Sequence, residues 1–137
     1  MINMKGLCIL VVDDHHFQRK AVIHMLQSLG VEKVCQASNG KQALEVLQNE
    51  PALDIVMSDL DMPEMDGMEF IRHLAKQHPG ISVIIMSSQD NVLITSVEKM
   101  AQSHALRLLG AVEKPLFLEQ LKKLLTLHQQ AQKMAAR

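Results

Sequence analysis

The sequence predicts an α/β domain in which a parallel sheet is covered by helices on both faces. Short apolar runs recur five times, and stretches with helical apolar spacing separate them. The clearest runs, Leu7 to Val12 and Ser82 to Met86, lack polar alternation, as does the segment that leads into Asp59. Continuous apolar runs of this length mark strands buried on both faces. Strands alternating with helices then join into one sheet through right-handed crossovers.

Leu-Cys-Ile-Leu-Val-Val at 7–12 is the first strand and ends in Asp13-Asp14. From His16 to Leu29, Phe17, Ala21, Val22, Met25, Leu26 and Leu29 recur at helical spacing, and Gly30 stops the helix. Lys33 to Ala37 is the second strand. Ser38-Asn39-Gly40 turns the chain into a short helix through Ala43, Leu44 and Leu47 up to Pro51. Asp54 to Ser58 is the third strand, and it brings Asp59 to the point where a buried strand surfaces into a loop broken by Pro63 and Gly67. Met65 to Lys76 is the third helix, with Met68, Ile71 and Leu74 on one face and Pro79-Gly80 closing it. Ser82 to Met86 is the fourth strand, followed by Ser87-Ser88. A long helix is expected from about Asn91 to Leu109, then a brief fifth strand at Ala111-Val112-Glu113 before Lys114-Pro115. Leu116 to Leu127 forms the last helix, and 128–137 has no clear core face.

At 137 residues the chain makes one domain, able to bury roughly two-thirds of its unfolded surface. A formal net charge of -1 gives no reason to expect nucleic acid or an anionic membrane as a partner. No apolar run approaches a membrane span and the first residues do not resemble a secretory signal, so a cytoplasmic location is expected. Cys8 and Cys35 lie in strand-like runs and read as reduced, buried thiols. Ten methionines and no Tyr or Trp leave the core to aliphatics and thioethers.

The carboxyl ends of the strands share one sheet edge, where ligands of such sheets bind. Asp13 and Asp14, Asp59, Ser87 and Lys114 therefore converge. Three clustered carboxylates repel one another unless a cation compensates, and oxygen ligands suit Mg2+ better than zinc. A carboxylate is also a nucleophile toward phosphorus. The transferring group then needs its oxygens neutralised by metal, by a point charge such as Lys114 and by a hydroxyl such as Ser87.

Val11-Val12-Asp13-Asp14, the run Asp59-x-x-Met62-Pro63-x-Met65-Asp66-Gly67, Ser87 after an apolar strand, and Lys114-Pro115 follow one another over about residues 5–127. In this order they resemble a CheY-like receiver domain of bacterial response regulators. The resemblance implies a flavodoxin-like, doubly wound five-stranded parallel sheet of order 2-1-3-4-5 with five helices in three α/β/α layers. It implies Asp59 as phosphoacceptor, with a sensor histidine kinase or phosphotransfer protein as phosphohistidine donor. Asp14, Asp59 and the backbone carbonyl of Asp61 would hold Mg2+, with Asp13 acting through water. Ser87 and Lys114 would contact the phosphoryl oxygens, and Lys114-Pro115 would be cis.

On this reading residues 1–127 are the receiver and 128–137 a helix end or linker tail. The chain catalyses only its own phosphorylation and dephosphorylation. The added charge moves the face made by the 91–109 helix, the fifth strand and the last helix. That face controls an output domain or a docking partner, and a homodimer stays open. Two departures stand out. Ala111 occupies the position where the family commonly has an aromatic switch residue, and Ser87 and Lys114 are 27 positions apart, several more than usual. With Phe17-Gln18-Arg19 and the Leu-Gly-Ala-Val-Glu-Lys-Pro run, that insertion resembles receivers found ahead of EAL domains that hydrolyse cyclic di-GMP.

Other readings compete. Asp59-Leu60-Asp61 matches the Asp-x-Asp signature of haloacid-dehalogenase-like phosphatases, but that family places its nucleophile on the first strand and its acidic pair last. A phosphorylation-independent scaffold predicts loss of phosphorylation residues, and all are retained. Neither nucleotide-binding glycine motif occurs. Locally, Asp13-Asp14 reads alternatively as a helix amino-terminal cap. Asp61 and Asp66 read as loop residues, and Ser88 as a bystander. His15-His16 beside two acids suggests a transition-metal site, against which neighbours in an extended segment point apart; the remaining histidines read as solvated.

Overall fold

The computed structural model describes residues 4–50, 52–60, 67–78, 80–87, 95, 98–99, 102 and 106–135. Its strands are β1 (Cys8–Val12), β2 (Lys33–Ala37), β3 (Ile55–Asp59), β4 (Ser82–Ser87) and β5 (Arg107–Glu113). The helices with described bounds are α1 (His16–Ser28), α2 (Gly40–Asn49), α3 (Gly67–Gln77) and α4 (Leu118–Ala135). All strand pairings are parallel, in the order β2-β1-β3-β4-β5.

The side-chain period of a strand explains the layering. Along β1, β3 and β4, Leu10, Val12, Val56, Val83 and Ile85 join Ala43 and Leu47 of α2 and Phe70, Ile71 and Leu74 of α3. The alternate residues, Ile9, Val11, Ile55, Met57, Ile84 and Met86, join Val22 and Leu26 of α1 and Leu121 and Leu125 of α4. These strands read as unbroken apolar runs because each face meets its own helix layer. Local signals fix the ends: Gly30 and Gly80 have φ of 99° and 89°, and the Asn39 side chain caps α2 by accepting from Gln42 N at 2.9 Å. Among the described residues no helix is long and apolar enough to cross a membrane.

Three expectations change. The helix expected to reach Leu109 gives way to β5 at Arg107, although Thr95, Glu98, Lys99 and Gln102 do have helical backbone. The cause is a bulge: Leu108 pairs with Val83 and Gly110 with Ile84, so Leu109 is an extra residue. Leu108 and Leu109 pack into opposite core layers as successive strand residues do, but Gly110 then pairs with Ile84 on the Leu109 side, so the alternation breaks between Leu109 and Gly110. At the other end, α4 continues past Leu127, and His128 is buried with Nδ1 2.8 Å from Ser82 Oγ, not solvated as expected. Helical spacing from Leu121 and Leu125 carries it to the inner face. Cys35 is half-buried while Cys8 is buried, and both are free thiols. Burial pushes the Cys8 thiol up to about 11, which keeps it unreactive.

Candidate functional site

Strand pairing places the acids. Backbone bonds from Asp13 N to Ala37 O (3.1 Å) and from Leu60 N to Met86 O (3.0 Å) extend the ladders just past β1 and β3. Asp13 and Asp59 are thus fixed side by side at the carboxyl edge, at the topological switch between β1 and β3 where such sheets take their ligands. Ser87 lies one residue beyond Met86, the partner of Asp59, and its carbonyl accepts Lys114 N at 2.8 Å. That bond brings Lys114 over the site, and the Lys114–Pro115 peptide is cis as expected.

The Lys114 ammonium lies 2.9 Å from Asp59 Oδ2 and 3.6 Å from Asp13 Oδ2, and it donates to Gln18 Oε1 at 3.0 Å. Asp13 and Asp59 are fully buried and Asp14 is half-buried. Among the described residues, one ammonium thus reaches two of the three clustered carboxylates. Among the described residues, Asp13 Oδ2 and Asp14 Oδ1 are buried without a hydrogen-bond partner. Buried carboxylate oxygens cost free energy unless something compensates them. Asp13, Asp14, His15 and Asp59 each offer a ligand atom, all within 4.8 Å of one another. A mostly oxygen donor set with uncompensated charge fits a hard divalent cation, so the residues fit Mg2+.

The cap reading of Asp13-Asp14 fails. The α1 cap is His15, which makes no side-chain capping bond, and Asp13 Oδ1 instead accepts His15 N at 2.9 Å in an Asx turn. That turn moves the His15 ring back over the acids, with Nδ1 3.2 Å from Asp14 Oδ1 and 3.5 Å from Asp13 Oδ1. His16 goes elsewhere, 3.4 Å from the Arg19 guanidinium. Arg19 also donates to the Asp13 carbonyl at 2.8 Å and to Gln36 Oε1 at 2.9 Å, tying α1 to β1 and β2. Sequence reasoning assigned no role to Gln18 or Arg19. Their position in the first turn after the acidic pair was the available signal. Beside them a cavity of about 330 Å³ opens between α1 and the β5–α4 connection, lined by Gln18, Val22, Met25, Lys114 and Leu116 among others. The expected Asp61 carbonyl, Asp66 and Ser88 lie outside the described residues.

An acidic cluster at the switch point of a 2-1-3-4-5 sheet, with a lysine delivered by the last strand, defines a receiver-type α/β domain. The chain belongs to the response regulator receiver domain family, whose model matches residues 9–126. It is 34% identical over 123 residues to the cyclic di-GMP phosphodiesterase RocR of Pseudomonas aeruginosa, covering 90% of this chain and 31% of RocR. It is 33% identical over 116 residues to the chemotaxis protein CheY of Listeria monocytogenes, covering 79% of this chain and 97% of that protein. Among solved structures, the Vibrio cholerae chemotaxis protein CheY4 superposes with a TM-score of 0.73 at 27% identity, over 88% of this chain and 96% of that one. A two-component response regulator/GGDEF domain protein gives 0.82 at 25% identity, over 93% and 51%. The chain spans less than a third of RocR and 14% of the sensor protein TorS of Escherichia coli, which it also matches.

Proposed function

We propose that the chain is a phosphoacceptor switch that takes a phosphoryl group from a histidine kinase or phosphotransfer protein onto Asp59. The observation that carries this is the Lys114 ammonium 2.9 Å from a buried Asp59 carboxylate that shares its pocket with two further acids. In the transfer, an Asp59 oxygen forms a bond to phosphorus while the P–N bond of the phosphohistidine breaks and its electron pair returns to the imidazole. Lys114 neutralises the equatorial phosphoryl oxygens, and the Ser87 hydroxyl donates to one of them. Asp13, Asp14, Asp59 and the Asp61 backbone carbonyl would hold Mg2+, which supplies charge neutralisation at the phosphoryl oxygens. Gln18 holds the lysine in register from the side of α1.

Residues 1–127 carry the switch, and the last helix continues beyond them to Ala135. Phosphorylation shifts an existing equilibrium of the face to which β5 and α4 belong, controlling an attached output domain or a docked partner. The relatedness to RocR favours an output linked to cyclic di-GMP, with an EAL-type domain as the first candidate. Ala111 provides no aromatic switch, so coupling runs through Ser87 and the enlarged region between Ser87 and Lys114 instead.

Intact mass after incubation with Mg2+ and a small acyl phosphate tests this reading. A Mg2+-dependent phosphoryl adduct that disappears in Asp59→Asn is expected. An unmodified native chain that nevertheless binds Mg2+ would point to a scaffold acting without phosphate.

A further inference from the structure

We propose that His15 is a fourth side-chain ligand of the acidic site and widens it from Mg2+ to divalent first-row transition ions. The inference rests on the metal-binding reading of that same site and adds a donor of a different kind. Ligands about 2.1 Å from one ion stand roughly 3.0–3.5 Å apart. His15 Nδ1 lies 3.2 Å from Asp14 Oδ1 and 3.5 Å from Asp13 Oδ1, the spacing of atoms sharing an ion.

Charge points the same way. Lys114 engages Asp59 at 2.9 Å and stands off Asp13 at 3.6 Å. Buried Asp14 Oδ1 and Asp13 Oδ2 have no hydrogen-bond partner among the described residues, and the Asp13 side chain is only 1% exposed. Of the two, Asp14 Oδ1 is the one that the His15 ring nitrogen approaches, at 3.2 Å. The ring is held there by the backbone, because Asp13 Oδ1 accepts His15 N at 2.9 Å. Imidazole nitrogen among carboxylates favours Co2+ and Zn2+, whereas Mg2+ keeps to oxygen.

The test is calorimetric titration of the chain with Co2+ and with Mg2+, accompanied by the visible absorption of the Co2+ form. Native protein, His15→Ala, His15→Gln and Asp14→Asn are compared. The His15 side chain is 59% exposed, so its replacement leaves the core intact. Loss of His15 is expected to weaken Co2+ binding by more than about a hundredfold, beyond the roughly 10- to 100-fold that losing an outer-shell partner costs. It should also change the Co2+ absorption bands and leave Mg2+ affinity within about twofold. Asp14→Asn should weaken both ions. Unchanged Co2+ affinity and spectrum in both His15 variants, or equal losses for Co2+ and Mg2+, would overturn the assignment while leaving the Mg2+ reading in place. A native chain that binds neither ion would overturn both.

Discussion

Asp14 carries a buried oxygen with no hydrogen-bond donor among the described residues, beside two other carboxylates and one lysine. Such crowding is retained for ligand binding at a cost in stability. Asp14→Asn should therefore raise the metal-free melting midpoint by about 3 °C, corresponding to roughly 1 kcal/mol for a domain of this size. Mg2+ should raise the native midpoint by mass action, and the substitution should abolish that rise. Thermal scans with and without Mg2+ check both; a lower metal-free midpoint would count against stored repulsion. At this scale the acids and the lysine were legible because each ends an apolar run. His15 stood out only as a neighbour of the acids, paired with His16; that its ring alone turns over them depends on its amide donating to Asp13 Oδ1, and no periodicity records a turn of that kind.

At the scale of elements, β5 differs most from its expectation. A strand buried on both faces announces itself by continuous apolarity, as β1 and β3 do. β5 is mostly half-exposed and carries the extra Leu109, so its pattern contains neither a clean run nor an alternation. Gly110 adds a packing constraint, because a Cβ there would stand 2.7 Å from Leu124 Cδ2 of α4. Gly110→Val should destabilise the fold by about 1–3 kcal/mol through overpacking. Gly110→Ala should cost less, because the leucine tip can turn aside. Leu124→Ala should recover part of the Gly110→Val loss, since the two side chains compete for one space. Urea midpoints of the single and double variants measure the coupling, and strict additivity would show that β5 and α4 do not meet there.

Over the whole molecule, titratable groups lie at both edges of the sheet. Opposite the acidic site, His128 is held by Ser82 and buried, and burial lowers its pKa from the usual 6.5. Asp54 works against that shift and Arg107 with it. Between the lowered value and 6.5 the unfolded chain binds the proton that the folded chain refuses, so stability falls as pH drops through that window. Above 6.5 the His128 contribution is complete. Denaturation midpoints of native protein and His128→Gln, followed from about pH 8 to about pH 5, should diverge in slope only below that value. Parallel slopes would remove His128 from the acid sensitivity. The sheet order and its converging strand ends were readable from the alternation of runs and turns. The continuation of α4 was not, because beyond Leu127 its inner face is carried by a histidine among glutamines and alanines.

β1 and β3 are paired on both edges and covered on both faces, whereas β5 is an edge strand with a bulge. Asp13 and Asp59 thus extend from backbone whose amides can exchange with solvent only when the whole domain opens, while β5 amides can exchange through local fraying. The acidic cluster should therefore ride on slowly exchanging backbone and Lys114 on faster-exchanging backbone, a difference that amide exchange of β3 against β5 would read.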